Sequence, residues 1–256
     1  MIKIHPTAIV DSTVILDEGC HIGPYCRVGP GVLLGKDCIL HSHVVLQGPC
    51  AIGAQNIFYP FCSIGQRTQD LKYRGEPTAL EIGTSNTFRE FVTINRSTTP
   101  ESKTVIGDYG NFLAYSHIAH DCTVGNHILF SNNGTLAGHV RVEDYAIIGG
   151  LTAVHQFCRI GQHAIIGGCS KIVQDVPPFM IADGNPAAIH GINIIGLKRF
   201  GFRESEVSML KKAHRFLYRS KLNLQQALEK LQEMQPNNNI NLLISFVTSS
   251  NRGIIR

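Results

Sequence analysis

Residues 106–171 read IGDYGN FLAYSH IAHDCT VGNHIL FSNNGT LAGHVR VEDYAI IGGLTA VHQFCR IGQHAI IGGCSK. Every one of these six-residue units, called hexads below, begins with Ile, Val, Leu or Phe. From Ile4 to Ile172 this spacing defines 29 positions, of which 26 carry one of these four residues. The exceptions are Asp70, Glu76 and Pro100. A period of six matches neither an α-helix nor a flat sheet. Three hexads close one coil, so the sequence predicts a β-solenoid whose leading residues point inward.

Small residues occupy fixed places within these hexads. Glycine follows the leading residue eleven times, as Gly23 and Gly107 do, and we expect it to supply the positive φ of a tight corner. Seven of the eight cysteines lie four residues after a leading residue, as Cys122 and Cys158 do, and the chain has no CxxC pair. We therefore expect them to be buried packing residues in a reducing compartment.

The period is interrupted twice and then ends. Residues 66–81 and 96–105 are polar and contain proline, which predicts loops that leave the solenoid and line a binding site. Beyond residue 178 the hexads stop and apolar residues follow helical spacing. We predict a β-solenoid domain over residues 1–190 and an α-helical domain over residues 191–256.

Charge is distributed unevenly along the chain. Residues 196–256 contain 11 basic and 4 acidic residues, a net charge of +7, whereas the whole chain carries +4. This asymmetry indicates either an anionic partner or a solvated basic face. The chain has no apolar run of ~18 residues and no basic segment followed by an apolar core near Met1. We expect a cytoplasmic protein that neither spans a membrane nor binds nucleic acid.

Several outward-facing histidines are predicted to be neighbours in space if three hexads form one coil, because residues 18 positions apart then lie next to each other. Gly138 lies one coil beyond His120, and His139 lies one coil beyond Asp121. Adjacent coils are separated by the strand spacing of ~4.8 Å. The predicted patch, about 10 Å long, consists of His117, His120, Gly138, His139, His155 and Gln156.

This combination of residues suits acyl transfer. A histidine that titrates near neutral pH can take a proton from an attacking hydroxyl, and a neighbouring carboxylate can fix its tautomer. A glycine lets a substrate approach a backbone N–H, which can stabilise an oxyanion. The main metal-based alternative is a three-histidine zinc site, as in the carbonic anhydrases with the same repeat. The spacing does not reproduce that ligand pattern, so we predict no metal and no organic cofactor.

Longer sequence strings narrow the interpretation. They are QDLKYRGEPT (69–78), HIAHDCTVGN (117–126), IIGGLTAVHQFCRIG (147–161) and GGCSKIVQDVPP (167–178). With the hexads, the chain resembles the bacterial acyl-[acyl-carrier-protein]–UDP-N-acetylglucosamine O-acyltransferases over essentially its whole length. The resemblance implies a left-handed parallel β-helix followed by a C-terminal α-helical domain. It also implies transfer of an (R)-3-hydroxyacyl chain from acyl carrier protein to the sugar 3-hydroxyl, the first step of lipid A biosynthesis.

The resemblance also implies roles for individual residues. His120 would be the general base, Asp121 would orient it, and the Gly138 N–H would hold the oxyanion. Gly168 would lie at the acyl-chain ruler, where the lack of a side chain implies a long chain of the 3-hydroxymyristoyl kind. The family's homotrimer has active sites between subunits, and its acidic carrier protein fits the basic tail. The positions that match substrate contacts are Asp70, Lys72, His117, His139, His155, Gln156, Asn193 and Arg199.

Three positions depart from the family pattern. Asn95 stands where the best-known members have histidine, and Ile195 and Phe200 replace polar residues beside GLKR (196–199). These departures leave open an N-acyltransferase that acts on a 3-amino sugar nucleotide. The later glucosamine N-acyltransferase is disfavoured because the hexads begin at Ile4. A zinc lyase and a non-catalytic scaffold are further alternatives, but neither predicts the strings at 69–78 and 117–126.

Overall fold

The protein is a left-handed parallel β-helix followed by α-helices, as predicted, and the computed structural model describes all of residues 1–256. Its short strands form three sheets, one along each face of the prism.

The first sheet has eleven strands: β1 (Lys3–Ile4), β4 (His21–Ile22), β7 (Ile39–Leu40), β10 (Ile57–Phe58), β13 (Thr87–Phe88), β16 (Asn111–Phe112), β19 (Leu129–Phe130), β22 (Ile147–Ile148), β25 (Ile165–Ile166), β27 (Met180–Gly184) and β28 (Ala187–Ile192). The second has nine: β2 (Ile9–Val10), β5 (Arg27–Val28), β8 (Val45–Leu46), β11 (Ser63–Gln66), β14 (Thr93–Asn95), β17 (His117–Ile118), β20 (Thr135–Leu136), β23 (Ala153–Val154) and β26 (Lys171–Ile172). The third has eight: β3 (Ile15–Leu16), β6 (Val32–Leu34), β9 (Cys50–Ile52), β12 (Ala79–Ile82), β15 (Lys103–Ile106), β18 (Thr123–Val124), β21 (Arg141–Val142) and β24 (Arg159–Ile160).

The hexad-leading residues fill the interior of the prism. Ile118 pairs with Leu136 one coil further on, and both side chains are fully buried. The rings of Phe58, Phe88 and Phe112 stack at centroid distances of 4.9 Å, which is close to the spacing between coils. The first coil is the exception: Ile4 is 48% exposed and Val10 and Leu16 are only partly buried, because no coil precedes them to cover that end of the prism. The seven predicted cysteines are buried as free thiols.

The expectation for the glycines that follow the leading residues is wrong. Positive φ occurs two residues later, at non-glycine residues such as Tyr25, and of the eleven glycines only Gly65 has a positive φ. Glycine is required for space instead: a Cβ on Gly23 would lie 2.7 Å from the carbonyl oxygens of Leu40 and His41 in the next coil. The close approach of successive coils therefore selects glycine at this place.

Both interruptions of the period contain a loop, but each loop is shorter than predicted, because residues 66, 79–81 and 103–105 belong to strands. Phe58 pairs with Phe88, so that coil contains two hexads more than a regular one, and Ile94 pairs with Ile118, so that coil contains one more. The loops cover residues 67–78, between β11 and β12, and 96–102, between β14 and β15. Both therefore leave the prism at the corner between the second and third sheets. That corner, which also carries residues 119–122, 137–140 and 155–158, is called the catalytic corner below.

Four helices follow the solenoid: α1 (Ile194–Arg199), α2 (Glu204–Tyr218), α3 (Leu224–Gln232) and α4 (Asn238–Thr248). Asn223 caps α3 in a capping box with Gln226. A second apolar core holds the helices together and includes Phe179 and Met180, so it begins before residue 191. The domain boundary at residues 190 and 191 stays a prediction. None of the helices combines the length and apolar composition needed to cross a bilayer.

Candidate active site

A histidine and an aspartate form a hydrogen-bonded pair at the catalytic corner. His120 Nδ1 lies 2.7 Å from Asp121 Oδ2. Asp121 adopts a positive φ of 59°, like other residues at the corners, and this turns its carboxylate back toward the imidazole of its neighbour. An ionised carboxylate can only accept, so Nδ1 donates, and in the neutral imidazole Nε2 then carries the lone pair. The pair therefore has the protonation pattern of a general base.

The carboxylate of Asp121 is surrounded by donors from the 96–102 loop. The hydroxyl of Ser97 donates to Oδ1, the backbone N–H of Thr98 donates to Oδ2 at 3.0 Å, and that of Thr99 donates to Oδ1 at 3.2 Å. Burial alone would raise the pKa of Asp121, but hydrogen bonds from Ser97, His120 and Thr98 outweigh it and hold the pKa well below its usual range. Asp121 is therefore ionised at neutral pH.

Gly138 lies against the His120 ring from the next coil. A Cβ built on Gly138 would lie 2.4 Å from Cε1 and 2.6 Å from Nε2 of His120, closer than real Cβ contacts allow. No protein acceptor binds the backbone N–H of Gly138, whereas its neighbours Ala137 and His139 donate to Val154 and His120. This position thus combines a free N–H donor with contact to the imidazole.

These residues border a groove of about 440 Å³ that runs beside the second sheet. The 67–78 loop contributes Asp70 and Lys72, so an acceptor and a cation line the same groove as the imidazole. His117 lines it too, with Nδ1 2.7 Å from Thr93 Oγ1. Burial, followed by the nearby His120, lowers the pKa of His117, which favours its neutral form. The full lining is Gln69, Asp70, Lys72, His117, Ala119, His120, Thr135, Leu136, Ala137, Gly138 and Gln156.

His139 lies on the other side of the dyad. It borders a separate polar groove beside the third sheet, where its ring stacks on Phe157 at 4.6 Å. Its Nε2 is 3.7 Å from Asp121 Oδ2, and its ring meets His120 edge-on. The ligand atoms of His120, Asp121 and His139 all lie within 4.8 Å of one another, so these three side chains could hold a metal ion.

Comparison with known proteins relates this chain to one family of enzymes. A family model described as Udp N-acetylglucosamine O-acyltransferase, Domain 2, matches residues 175–255. Over its whole length the chain is 47% identical to the acyl-[acyl-carrier-protein]–UDP-N-acetylglucosamine O-acyltransferase of Verminephrobacter eiseniae, and the match covers that entire protein. The chain belongs to this acyltransferase family. The enzyme of the same name from Burkholderia lata is 46% identical, again with both chains fully covered.

Solved structures of UDP-N-acetylglucosamine acyltransferases share the same architecture. The enzyme of Francisella novicida superposes with a TM-score of 0.96 at 35% identity, covering 100% of this chain and 94% of its own. That of Moraxella catarrhalis gives a TM-score of 0.95 at 42% identity, covering 99% of each chain.

Other residues that the family resemblance singled out lie outside the groove of this acyltransferase chain. His155 is exposed, with Nδ1 3.2 Å from the carbonyl oxygen of Gln156. Gly168 lies at the corner between the first and second sheets, just before β26. On the second sheet β26 is three coils, or about 14 Å, beyond β17, the strand that contains His117. A Cβ at Gly168 would meet only the backbone of Gly150, whose carbonyl oxygen is 3.3 Å away, so that position has room for a side chain.

Asn193 and Arg199 lie at a third place, near the corner between the third and first sheets. Asn193 is buried as the N-cap of α1: it accepts from the Gly196 N–H at 2.9 Å and donates to the His163 carbonyl at 3.0 Å. Arg199 is exposed at the other end of α1. A single chain does not bring them to His120, and their contact with a nucleotide stays a prediction.

The three departures from the family pattern have distinct surroundings. Asn95 is buried, and its amide donates to the Arg67 carbonyl at 3.2 Å, so it supports the base of the 67–78 loop. Phe200 packs its ring against Tyr145 and His163, while Ile195 is exposed on α1.

Sequence reasoning missed the donors that surround Asp121. Ser97, Thr98 and Thr99 belong to the second interruption, which was recognised only as a loop. The sole signal in the sequence was the position of that interruption, one coil before Asp121. Thr93, the partner of His117, was missed as well because it is an ordinary strand residue.

Proposed function

We propose that this chain transfers an (R)-3-hydroxyacyl group from acyl carrier protein to the 3-hydroxyl of UDP-N-acetylglucosamine, the first step of lipid A biosynthesis. The observation that carries the proposal is the His120–Asp121 pair beside the unpaired N–H of Gly138, in the groove that holds Asp70 and Lys72. The curated names of full-length relatives support the substrate assignment.

The reaction follows from the positions of these groups. The sugar 3-hydroxyl attacks the thioester carbonyl carbon while His120 Nε2 takes its proton, and Asp121 stabilises the imidazolium. The negative charge that develops on the carbonyl oxygen accepts a hydrogen bond from the Gly138 N–H. Collapse of the tetrahedral intermediate breaks the C–S bond, and the imidazolium protonates the departing thiolate. The base is then restored without a cofactor.

The 67–78 loop suits recognition of the sugar nucleotide. We assign the Lys72 cation to the diphosphate and the Asp70 carboxylate to a sugar hydroxyl, with His117 and Gln156 as further polar contacts. His139 and His155 lie beside the groove and would contact substrate from its edges. Hydrogen bonds hold Asp70 in place, from Lys72 N to its Oδ1 at 2.9 Å and from its own N–H to Thr68 Oγ1 at 3.0 Å.

The acyl chain would run along the second sheet toward Gly168. The three coils between β17 and β26 correspond to about 14 Å, which suits a long acyl chain. The lack of a side chain at Gly168 would leave the end of this path open.

We further propose a cytoplasmic homotrimer. The separation of Asn193 and Arg199 from the groove supports this arrangement, because only a second subunit could bring that part of α1 to a nucleotide bound at His120. Four exposed basic residues, three on one side of α2 and one at its C-cap, would attract the acidic carrier protein. They are Lys211, Lys212, Arg215 and Arg219.

The test is a mass-spectrometric transfer assay with 3-hydroxymyristoyl carrier protein and an equimolar mixture of UDP-N-acetylglucosamine and its 3-amino analogue. We expect an ester product, and His120→Ala should lower turnover by roughly 10²- to 10⁴-fold. His21→Ala, which removes an exposed histidine on the first sheet, is the matched control and should keep wild-type turnover. Product from the amine alone would change the acceptor, and undiminished turnover of His120→Ala would remove His120 as the base.

A further inference from the structure

Ser97 is a buried polar residue with a single well-defined task. Its side chain is fully buried, and its hydroxyl lies within hydrogen-bond reach of Asp121 Oδ1. The other nearby acceptor, the Thr99 carbonyl, is more distant at 3.3 Å. A hydroxyl has one proton to donate and a carboxylate is the stronger acceptor, so the proton goes to Asp121.

The loop that contains Ser97 is formed by one extra hexad inserted at the catalytic corner. The pairing of Ile94 with Ile118 shows one hexad more than a regular coil, and the extra residues lie next to the coil of His120 and Asp121. The extra hexad brings three donors to the Asp121 carboxylate: the Ser97 hydroxyl and the backbone N–H groups of Thr98 and Thr99.

The loop is also tied down on its far side. The Ser97 N–H donates to the Ala79 carbonyl at 3.3 Å, and the hydroxyls of Thr98 and Thr68 lie 2.5 Å apart. Thr68 also accepts from the N–H of Asp70. The donors on Asp121 are therefore held by the same contacts that order the 67–78 loop, so Ser97 has little freedom to move away from the carboxylate.

We propose that Ser97 is a positioning residue for the reaction: by fixing Oδ1 of Asp121 it holds Oδ2 against Nδ1 of His120 and so aims Nε2 into the groove. This inference rests on the proposed function, in which His120 is the base. With Oδ1 held by Ser97 and Thr99, the carboxylate cannot rotate without breaking two hydrogen bonds. A residue that served only to anchor the loop would need no contact with the carboxylate.

Ser97→Ala tests the role by removing one hydroxyl without adding volume. We expect kcat to fall roughly tenfold, the effect of losing one hydrogen bond to a charged group, with KM unchanged because Ser97 does not line the groove. The pKa of Asp121, followed by ¹³C NMR of its side-chain carboxyl, should rise because one of the bonds that favours its charged form is gone. Ser102→Ala is the matched control, since Ser102 is in the same loop and contacts it through its backbone.

The outcomes separate this inference from the proposed function. If wild type transfers the acyl group and His120→Ala does not, a Ser97→Ala variant with wild-type kcat and an unchanged Asp121 titration overturns the role of Ser97 alone. If wild type shows no transfer, the proposed function fails, and the Asp121 titration still decides whether Ser97 controls the carboxylate. Equal losses in Ser97→Ala and Ser102→Ala would identify a general effect of the loop and would also refute the inference.

Discussion

Gly138→Ala should damage catalysis while leaving the solenoid intact. The backbone of Gly138 does not have a positive φ, so alanine adds no backbone strain. The new methyl would lie 2.4 Å from His120 Cε1, whereas ordinary contact begins at 3.4 Å. The ring must therefore move by roughly 1 Å, and a displacement of that size at a reacting group costs about 10²-fold in rate.

The direction of this movement decides the result. Asp121 Oδ2 is 2.7 Å from His120 Nδ1, and Nδ1 is itself only 3.1 Å from the new methyl, so a ring displaced by that methyl strains or breaks its bond to Asp121. Loss of a hydrogen bond to a charged group costs about 1.5–3 kcal/mol, or roughly 10- to 100-fold in rate. The two estimates agree on a fall of about 100-fold in kcat.

The assay is steady-state acyl transfer at saturating concentrations of both substrates, with thermal unfolding as a check on the fold. Gly191→Ala is the control, because its Cβ would meet nothing within 4 Å and its backbone has no positive φ. If Gly138→Ala kept kcat within twofold of wild type, then either the ring is not confined as described or His120 is not the base.

Two further predictions concern other parts of the chain. Gly168→Met should shift the preferred donor toward shorter acyl chains, measured by competition among carrier proteins of different acyl length; an unchanged preference would place the ruler elsewhere. Burial lowers the pKa of His163 to about 4 from 6.5 in the unfolded chain, so the unfolded chain binds a proton first as the pH falls. Above pH 6.5 the neutral His163 contributes its full share, roughly 3 kcal/mol, to the free energy of unfolding, and this contribution is lost as the pH falls to about 4. Urea unfolding at pH 7 and pH 4.5 should therefore show a larger loss for wild type than for His163→Phe, and equal losses would contradict the buried neutral imidazole.

The solenoid and the catalytic pair could be predicted from sequence because both depend on short-range regularity. A hexad repeats the same local geometry 26 times between Ile4 and Ile172, so any one position is supported by all the others. His120 and Asp121 are adjacent in the chain, and Gly138 lies one regular coil beyond His120. Arithmetic therefore placed them together without coordinates.

The reason for the glycines could not be predicted in the same way. Their frequency after the leading residue was evident from the sequence. Whether glycine is required there by a positive φ or by a lack of space for a side chain depends on the distance to the next coil. At Gly23 that distance is 2.7 Å from a built Cβ to the neighbouring carbonyl oxygens, and this excludes a side chain. The repeat has the same period under either explanation.

The repeat, the inward residues, the buried cysteines and the neighbours along the catalytic corner can all be predicted from sequence, because each of these follows from counting along a periodic chain. The folded chain was needed to show which groups hold Asp121, on which side of the dyad His139 lies and that Asn193 caps a helix. These facts depend on the path of non-repeating segments, the 96–102 loop and the connection to α1. No period constrains such segments, so their contacts appear only once the chain is folded.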